Sequence, residues 1–223
     1  MSDLTLIIPA KKEAESLPSV LNELSSYNFK IMIILNEDDL ETINAIQKYD
    51  VNIVFQDNKG YGDALIKGIN LCKTKYFSIF NADGSFEPKE IDSMLKLIDQ
   101  ENYDLVFGSR YQKKGGSEDD TIITLLGNYI FTYLGRIFFR LNITDILYTF
   151  VIGKTKETRD LKLENRDFSF CIELPIKAQR KGLKLISSTS YERKRIAGKK
   201  KVNAFKDGLM ILFQMIKIFF IKS

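Results

Sequence analysis

The sequence predicts an α/β domain with a mainly parallel central sheet and flanking helices, ending in amphipathic C-terminal helices. Three observations carry this. Short β-rich apolar runs alternate with helix-period segments from residue 4 to about residue 107, the order that builds parallel sheets through right-handed crossovers. Polar clusters follow the strands at 9–13, 36–39, 81–83 and 109–110. Such ends share one edge of a parallel sheet, so the clusters should converge on one crevice. Beyond residue 121, two long apolar segments each carry a polar stripe at helical spacing.

Taken in order, residues 4–8 form a β-rich run stopped by Pro9, and 17–24 have a helical pattern. Residues 29–35 read as a second strand, 40–49 as a helix and 51–55 as a third strand. The loop 56–63 carries Gly60 and Gly62 and leads into a helix over 64–72. The apolar run 76–80 reads as a buried strand and 89–98 as a helix with Pro88 in its first turn. A fifth strand spans 105–107, and 112–120 is a flexible polar loop. Residues 121–141 form a long apolar helix on which Thr124, Asn128, Thr132, Arg136 and Arg140 recur every four residues. Residues 145–152 and 183–190 read as strands, 167–181 as a helix with an irregular start, and 193–201 as a basic loop.

The tail, 204–221, is apolar around most of its circumference, with Asn203, Lys206, Asp207, Gln214 and Lys217 on one arc. Its uninterrupted apolar pieces are too short to span a bilayer, so an interfacial helix fits it. Packing on the protein's own core is the alternative. The expected division is a domain over 1–203, with the amphipathic segment 121–141 inside it, and a membrane-interface helix over 204–223.

The 223 residues are 44% hydrophobic and 28% charged, an ordinary globular composition. A formal charge of +4 suits anionic substrates or an anionic membrane surface and does not argue for nucleic acid. With no His, Ser-His and Cys-His catalysis and His-ligated zinc are excluded. The two cysteines, Cys72 and Cys171, lie in apolar stretches and read as core thiols in a reducing cytoplasm. No signal peptide precedes the first strand, so a cytoplasmic location is expected.

The stretch with the most chemistry is Phe80-Asn81-Ala82-Asp83-Gly84-Ser85-Phe86. An acidic residue at the C-terminal lip of a strand can grip a divalent cation, and the cation a diphosphate. The plain alternative is an Asx-type turn with Asp83-Gly84 as punctuation.

Five motifs in order resemble family 2 glycosyltransferases, which have the GT-A fold, over nearly the whole chain. Residues 7–15 are similar to that family's strand followed by Pro-Ala-Tyr-Asn-Glu-Glu, and Asn58-Lys59-Gly60-Tyr61-Gly62-Asp63-Ala64 to its Asn-x-Gly-x-Gly-x-Ala helix entry. Asn81-Ala82-Asp83-Gly84 stands at its Asp-Ala-Asp-Gly, Gly108-Ser109-Arg110-Tyr111 at its Gly-Ser-Arg-Tyr, and Arg195-Ile196-Ala197-Gly198 with Lys201 at its late Arg-x-x-Gly-x-x-Lys. The nearest resemblance is to the branch of dolichol-phosphate mannosyltransferases and bacterial polyprenyl-phosphate glycosyltransferases. Two departures bear on the metal: Asn81 replaces the motif's first Asp, and Ser85 stands where the mannosyltransferases carry a Gln.

The resemblance implies a nucleotide-sugar donor and a divalent metal, Mg²⁺ or Mn²⁺, held by Asp83 and Asn81. Asp83, Arg110 and Asp145 are the expected catalytic residues. Pro9, Ala10, Glu13 and Asp38 resemble the nucleoside pocket, with Asn81 and Ala82 beside it, and Arg195 and Lys201 join Arg110 as cations for the departing diphosphate. Each has a plainer reading. Glu13 can be an early-helix carboxylate and Asp38 a helix N-cap. Arg110 can be a surface ion pair, Asp145 a strand-edge carboxylate, and 193–201 a solvated charge run.

A lipid phosphate acceptor is already anionic and needs no base, whereas a hydroxyl needs a carboxylate nearby, with Asp145 the first candidate and 118–120 the second. The expected function is transfer of a sugar to a polyprenyl- or dolichyl-phosphate-type lipid, metal-assisted and inverting, at the cytoplasmic face of the membrane in cell-envelope biogenesis. The alternatives are a glycan hydroxyl acceptor in envelope polysaccharide assembly, and a non-catalytic nucleotide-sugar-binding protein at the membrane. No spanning helix is expected, so an integral membrane partner would be a separate chain; a homo-oligomer stays open.

Overall fold

A computed structural model describes residues 3–198 and 203–221. Its first half follows the expected alternation: β1 (Leu4–Pro9), α1 (Leu17–Leu24), β2 (Lys30–Leu35), α2 (Leu40–Ile46), β3 (Asn52–Phe55), α3 (Tyr61–Leu71), β4 (Tyr76–Ile79), α4 (Glu90–Asp99) and β5 (Leu105–Ser109). Then come β6 (Gly116–Ser117), α5 (Ile122–Phe139), β7 (Val151–Lys154), α6 (Thr155–Arg159), α7 (Phe170–Arg180), β8 (Leu185–Thr189), β9 (Tyr191–Glu192) and α8 (Ala204–Phe220).

Seven strands form the main sheet in the order β3-β2-β1-β4-β7-β5-β8. β1 pairs in parallel with β2 and β4, β2 with β3, and β5 with β8, while β7 runs antiparallel to both β4 and β5. β6 and β9 make a small parallel pair of their own. The period-two alternation of β1 decides its packing. Leu4, Leu6 and Ile8 join one core with Val20 of α1 and Met94 of α4, and Ile7 joins the other with Leu65 of α3 and Leu174 of α7. Fully burying each such side chain contributes about 1.5–3 kcal/mol, which ties both helix layers to the sheet. Cys72 and Cys171 are buried free thiols, and burial pushes the Cys171 thiol up to about 12.

Two expectations are corrected. The strand expected over 145–152 begins only at Val151. Side chains claim the main-chain N–H groups that a ladder would need: Ile146 N donates to Thr132 Oγ1 at 3.2 Å and Leu147 N to Asn128 Oδ1 at 3.2 Å. The polar stripe of the 121–141 helix also differs. Asn128 and Thr132 are buried toward the domain, while Arg136 and Arg140 are exposed.

α5 therefore shows solvent an apolar face that includes Ile122, Ile123, Leu126, Tyr133, Ile137 and Phe138. By length and composition its 18 residues suffice to cross a membrane, which the sequence reading did not expect of any segment. α8 lies along it, burying Ile211, Met215 and Ile218 and exposing Phe205, Leu209, Phe213 and Phe220. Arg180 of α7 caps α8, donating to the carbonyls of Ile218 and Ile221 at 2.6 and 2.9 Å.

Candidate functional site

The parallel strands bring the expected clusters to one edge of the sheet. After β4, Asp83 sits in a tight turn. Its Oδ1 accepts from Ser85 N at 3.0 Å and Ser85 Oγ at 2.7 Å. This is the Asx-type turn, and Gly84 permits it with φ +81°; a Cβ there would also meet Ile196 Cδ1 at 2.5 Å. The turn consumes one carboxylate oxygen and leaves Oδ2 facing Arg195 Nη1 at 3.5 Å. The turn and an acidic group presented at the lip of the strand therefore coexist. Asn81 donates its amide to Ser85 Oγ at 3.1 Å, which turns its carbonyl oxygen away from that bond. Ala82 is buried beside them.

The loop carrying Arg195 is pinned over this turn. Arg193 N donates to Ser85 O and Ile196 N to Asp83 O, each at 2.8 Å. Arg193 itself grips Glu23 through two bonds of 2.7 and 2.9 Å. Arg195 is held by Asp119, Nη2 to Oδ2 at 2.8 Å. Burial opposes its charge, but Asp119 and Asp83 outweigh it and raise the Arg195 pKa. Lys201, the remaining expected cation, lies outside the described residues.

On the neighbouring strand ends, Pro9 closes β1 and the Ala10 N–H donates to Ile34 O at 2.8 Å. Glu13 is buried, accepting from Ser16 Oγ at 2.7 Å while its own N–H donates to Thr42 Oγ1. Asp38 is exposed and does not cap the following helix; Asp39 does, accepting from Thr42 N and also from Lys12 N at 2.6 Å. Gly60 and Gly62 meet the backbone of Asn165, Arg166 and Asp167 so closely that a Cβ at either would lie 2.0–2.1 Å from a carbonyl oxygen.

Arg110 and Asp145 do not lie open at the crevice. They form an inner cluster beneath it. Arg110 Nε and Nη2 donate to the two oxygens of Asp145 at 2.8 and 3.0 Å, and Nη1 donates to Glu192 at 3.0 Å. Asp120 stands 3.5 Å from the same guanidinium, which lies over the Tyr148 ring. Burial works against the Arg110 charge, yet Asp145 and Glu192 raise its pKa. Asp145 also accepts from the main chain of Arg110 and from the Asn128 amide. Asn128 and Glu192 are site residues that the sequence reading passed over; the four-residue spacing on α5 marked Asn128 but did not say which way it faced.

Ser117 joins the two clusters. Its hydroxyl accepts from Asp119 N and Asp120 N and donates to Glu192. A separate cleft of about 890 Å³ lies away from this site, at the opposite sheet edge beside Lys73, Lys154 and Arg159.

Among the described residues no three His, Cys, Asp or Glu side chains gather that could hold a metal. What Asp83 and Asn81 offer is one carboxylate oxygen and one amide oxygen. That sparse, hard set fits a Mg²⁺- or Mn²⁺-type ion completed by diphosphate oxygens, and does not fit an ion held by protein alone.

The protein-family model described as Glycosyl transferase family 2 matches residues 5–161, more than half of the chain. The chain belongs to glycosyl transferase family 2. An uncharacterized glycosyltransferase of Mycobacterium tuberculosis is 24% identical over 208 residues, covering 93% of each chain. An uncharacterized protein of Methanocaldococcus jannaschii is 28% identical, covering 97% of this chain and 93% of its own. Glucosyl-3-phosphoglycerate synthase from M. tuberculosis, solved with UDP, superposes with a TM-score of 0.74 at 13% identity, over 99% of this chain and 81% of that one. The same synthase was solved with Mn²⁺, UDP and glucosyl-3-phosphoglycerate, at a TM-score of 0.72 and 12% identity. This glycosyltransferase thus has the α/β fold, with a mostly parallel sheet, expected from its sequence.

Proposed function

We propose that this family 2 glycosyltransferase moves a sugar from a nucleoside-diphosphate sugar to a lipid-linked phosphate of the polyprenyl type, at a membrane surface. One observation carries the acceptor: the same helix, α5, presents an apolar face outward and sends Asn128 and Thr124 inward to Asp145 and Asp120. A lipid lying against that face would bring its phosphate to the rim of the site. The burial of Asp145 under Arg110 supports the same acceptor, because a phosphate is already anionic and needs no base there.

The donor diphosphate is assigned to the Asp83 turn, with Arg195 beside it. A divalent ion bound with the donor would supply charge stabilisation to the departing diphosphate. Asp83 orients that charge, Arg195 adds a guanidinium for the phosphate oxygens, and the 9–13 and 36–39 loops flank the nucleoside. Inversion at the anomeric carbon, a cytoplasmic peripheral location and a role in cell-envelope biogenesis belong to the same reading.

The test has two stages. A thermal-shift panel of nucleoside diphosphates, with and without Mn²⁺ or Mg²⁺, identifies the donor through binding linkage. The matching nucleotide sugar is then supplied with a polyprenyl phosphate, a glycan or a small phosphorylated hydroxyl compound. Product on the polyprenyl phosphate alone is the expected result, and product only on either of the others refutes the lipid acceptor.

A further inference from the structure

We propose that Asp119 is the positioning residue of Arg195, orienting its guanidinium toward the donor diphosphate, and is not the base of the reaction. This rests on the reading of Arg195 as a diphosphate ligand.

Asp119 approaches one edge of the guanidinium, Oδ2 at 2.8 Å from Nη2 and Oδ1 at 3.5 Å from Nε. The other corner, Nη1, is left toward Asp83 Oδ2 at 3.5 Å, a spacing too long for a direct hydrogen bond. The two contacts are therefore unequal: Asp119 holds, and the Asp83 side is the one a phosphate oxygen can take. Both ends of the hold are themselves fixed. The Asp119 N–H donates to Ser117 Oγ at 3.1 Å, and the Arg195 backbone is pinned by its neighbour's bond to Asp83 O. A free arginine side chain samples many rotamers, and a carboxylate gripping one edge removes that freedom before the ligand arrives. Asp119 stands only 15% exposed, so water competes weakly for the pair.

The experiment measures binding of the nucleoside diphosphate selected by the thermal-shift panel, with Mn²⁺, to the full chain and to Asp119→Asn, Arg195→Ala and the double variant. Arg195→Ala is expected to weaken binding about 10- to 100-fold. Asp119→Asn is expected to weaken it about three- to tenfold, with no further loss in the Arg195→Ala background. Its KM for the nucleotide sugar should rise more than its kcat falls, any acid limb of the wild-type kcat–pH profile should persist, and Asp119→Glu should restore part of the affinity. Unchanged donor affinity in Asp119→Asn, or loss of the acid limb with KM intact, overturns the positioning role while leaving Arg195 as a ligand. Unchanged affinity in Arg195→Ala removes the diphosphate reading of Arg195, and the role of Asp119 with it.

Discussion

Asp145 holds Arg110 through two bonds of 2.8 and 3.0 Å, and its own side chain is 0% exposed. Taking Asp145 away leaves Nε and Nη2 of the buried guanidinium without their partner while Glu192 still holds Nη1, so the loss falls at the low end for a broken buried pair, about 3 kcal/mol. Asp145→Ala should therefore lower the unfolding free energy by that amount, read from the urea midpoint at constant m-value. A variant with unaltered unfolding and no turnover would instead make Asp145 a base for the acceptor.

At Asp83 the turn and the charge can be separated. Asn supports an Asx turn as Asp does, so Asp83→Asn should keep the thermal midpoint and still lose transfer from the nucleotide sugar about 10²-fold or more. Asp83→Ala should lose both. Chelation of divalent ions by EDTA should mimic the Asn variant in the wild type and add little to it. Full turnover in Asp83→Asn would contradict the assignment of the donor to this turn.

The outward faces of α5 and α8 are open to a separate test. Leu126 and Phe213 are 60% and 69% exposed, so charged replacements there should alter stability by no more than about 0.5 kcal/mol. Leu126→Glu with Phe213→Glu should abolish flotation with anionic vesicles while the thermal midpoint stays in place. Flotation equal to that of the wild type would argue for another occupant of this face.

The first half of the fold was legible because period and punctuation agreed: β-rich runs, polar ends and helix-period segments alternate without conflict up to β5. The Asp83 turn was legible for the same reason, as an Asp-Gly pair after a buried strand. The strand expected over 145–152 starts late although residues 145–150 have the composition of a strand: only the side chains of Asn128 and Thr132, well over ten residues away, take the backbone of Ile146 and Leu147 out of the ladder. The stripe on α5 was visible as a spacing, but spacing marks a shared face and not the direction in which it points. The cap on α2 is Asp39 and not Asp38, for which capping was the plainer alternative, because the two are adjacent and equally able.

Glu90 heads α4 and accepts from Tyr191 N at 2.9 Å, tying that helix to β9 below the Arg195 loop. Burial raises its pKa above the ordinary carboxylate range, against the opposing pull of Ser190 and the Tyr191 N–H. Its Oε2 is buried with no hydrogen-bond partner among the described residues. The fold thus favours the protonated acid. The stabilisation is fully present below the unfolded-state pKa and is lost as pH rises through the folded one. Glu90→Gln cannot ionise, so the stability of the variant minus that of the wild type should increase between pH 4 and pH 7. Urea unfolding at the two pH values measures that difference. A difference that shrinks as pH rises would mean that the hydrogen bonds to the carboxylate outweigh its burial.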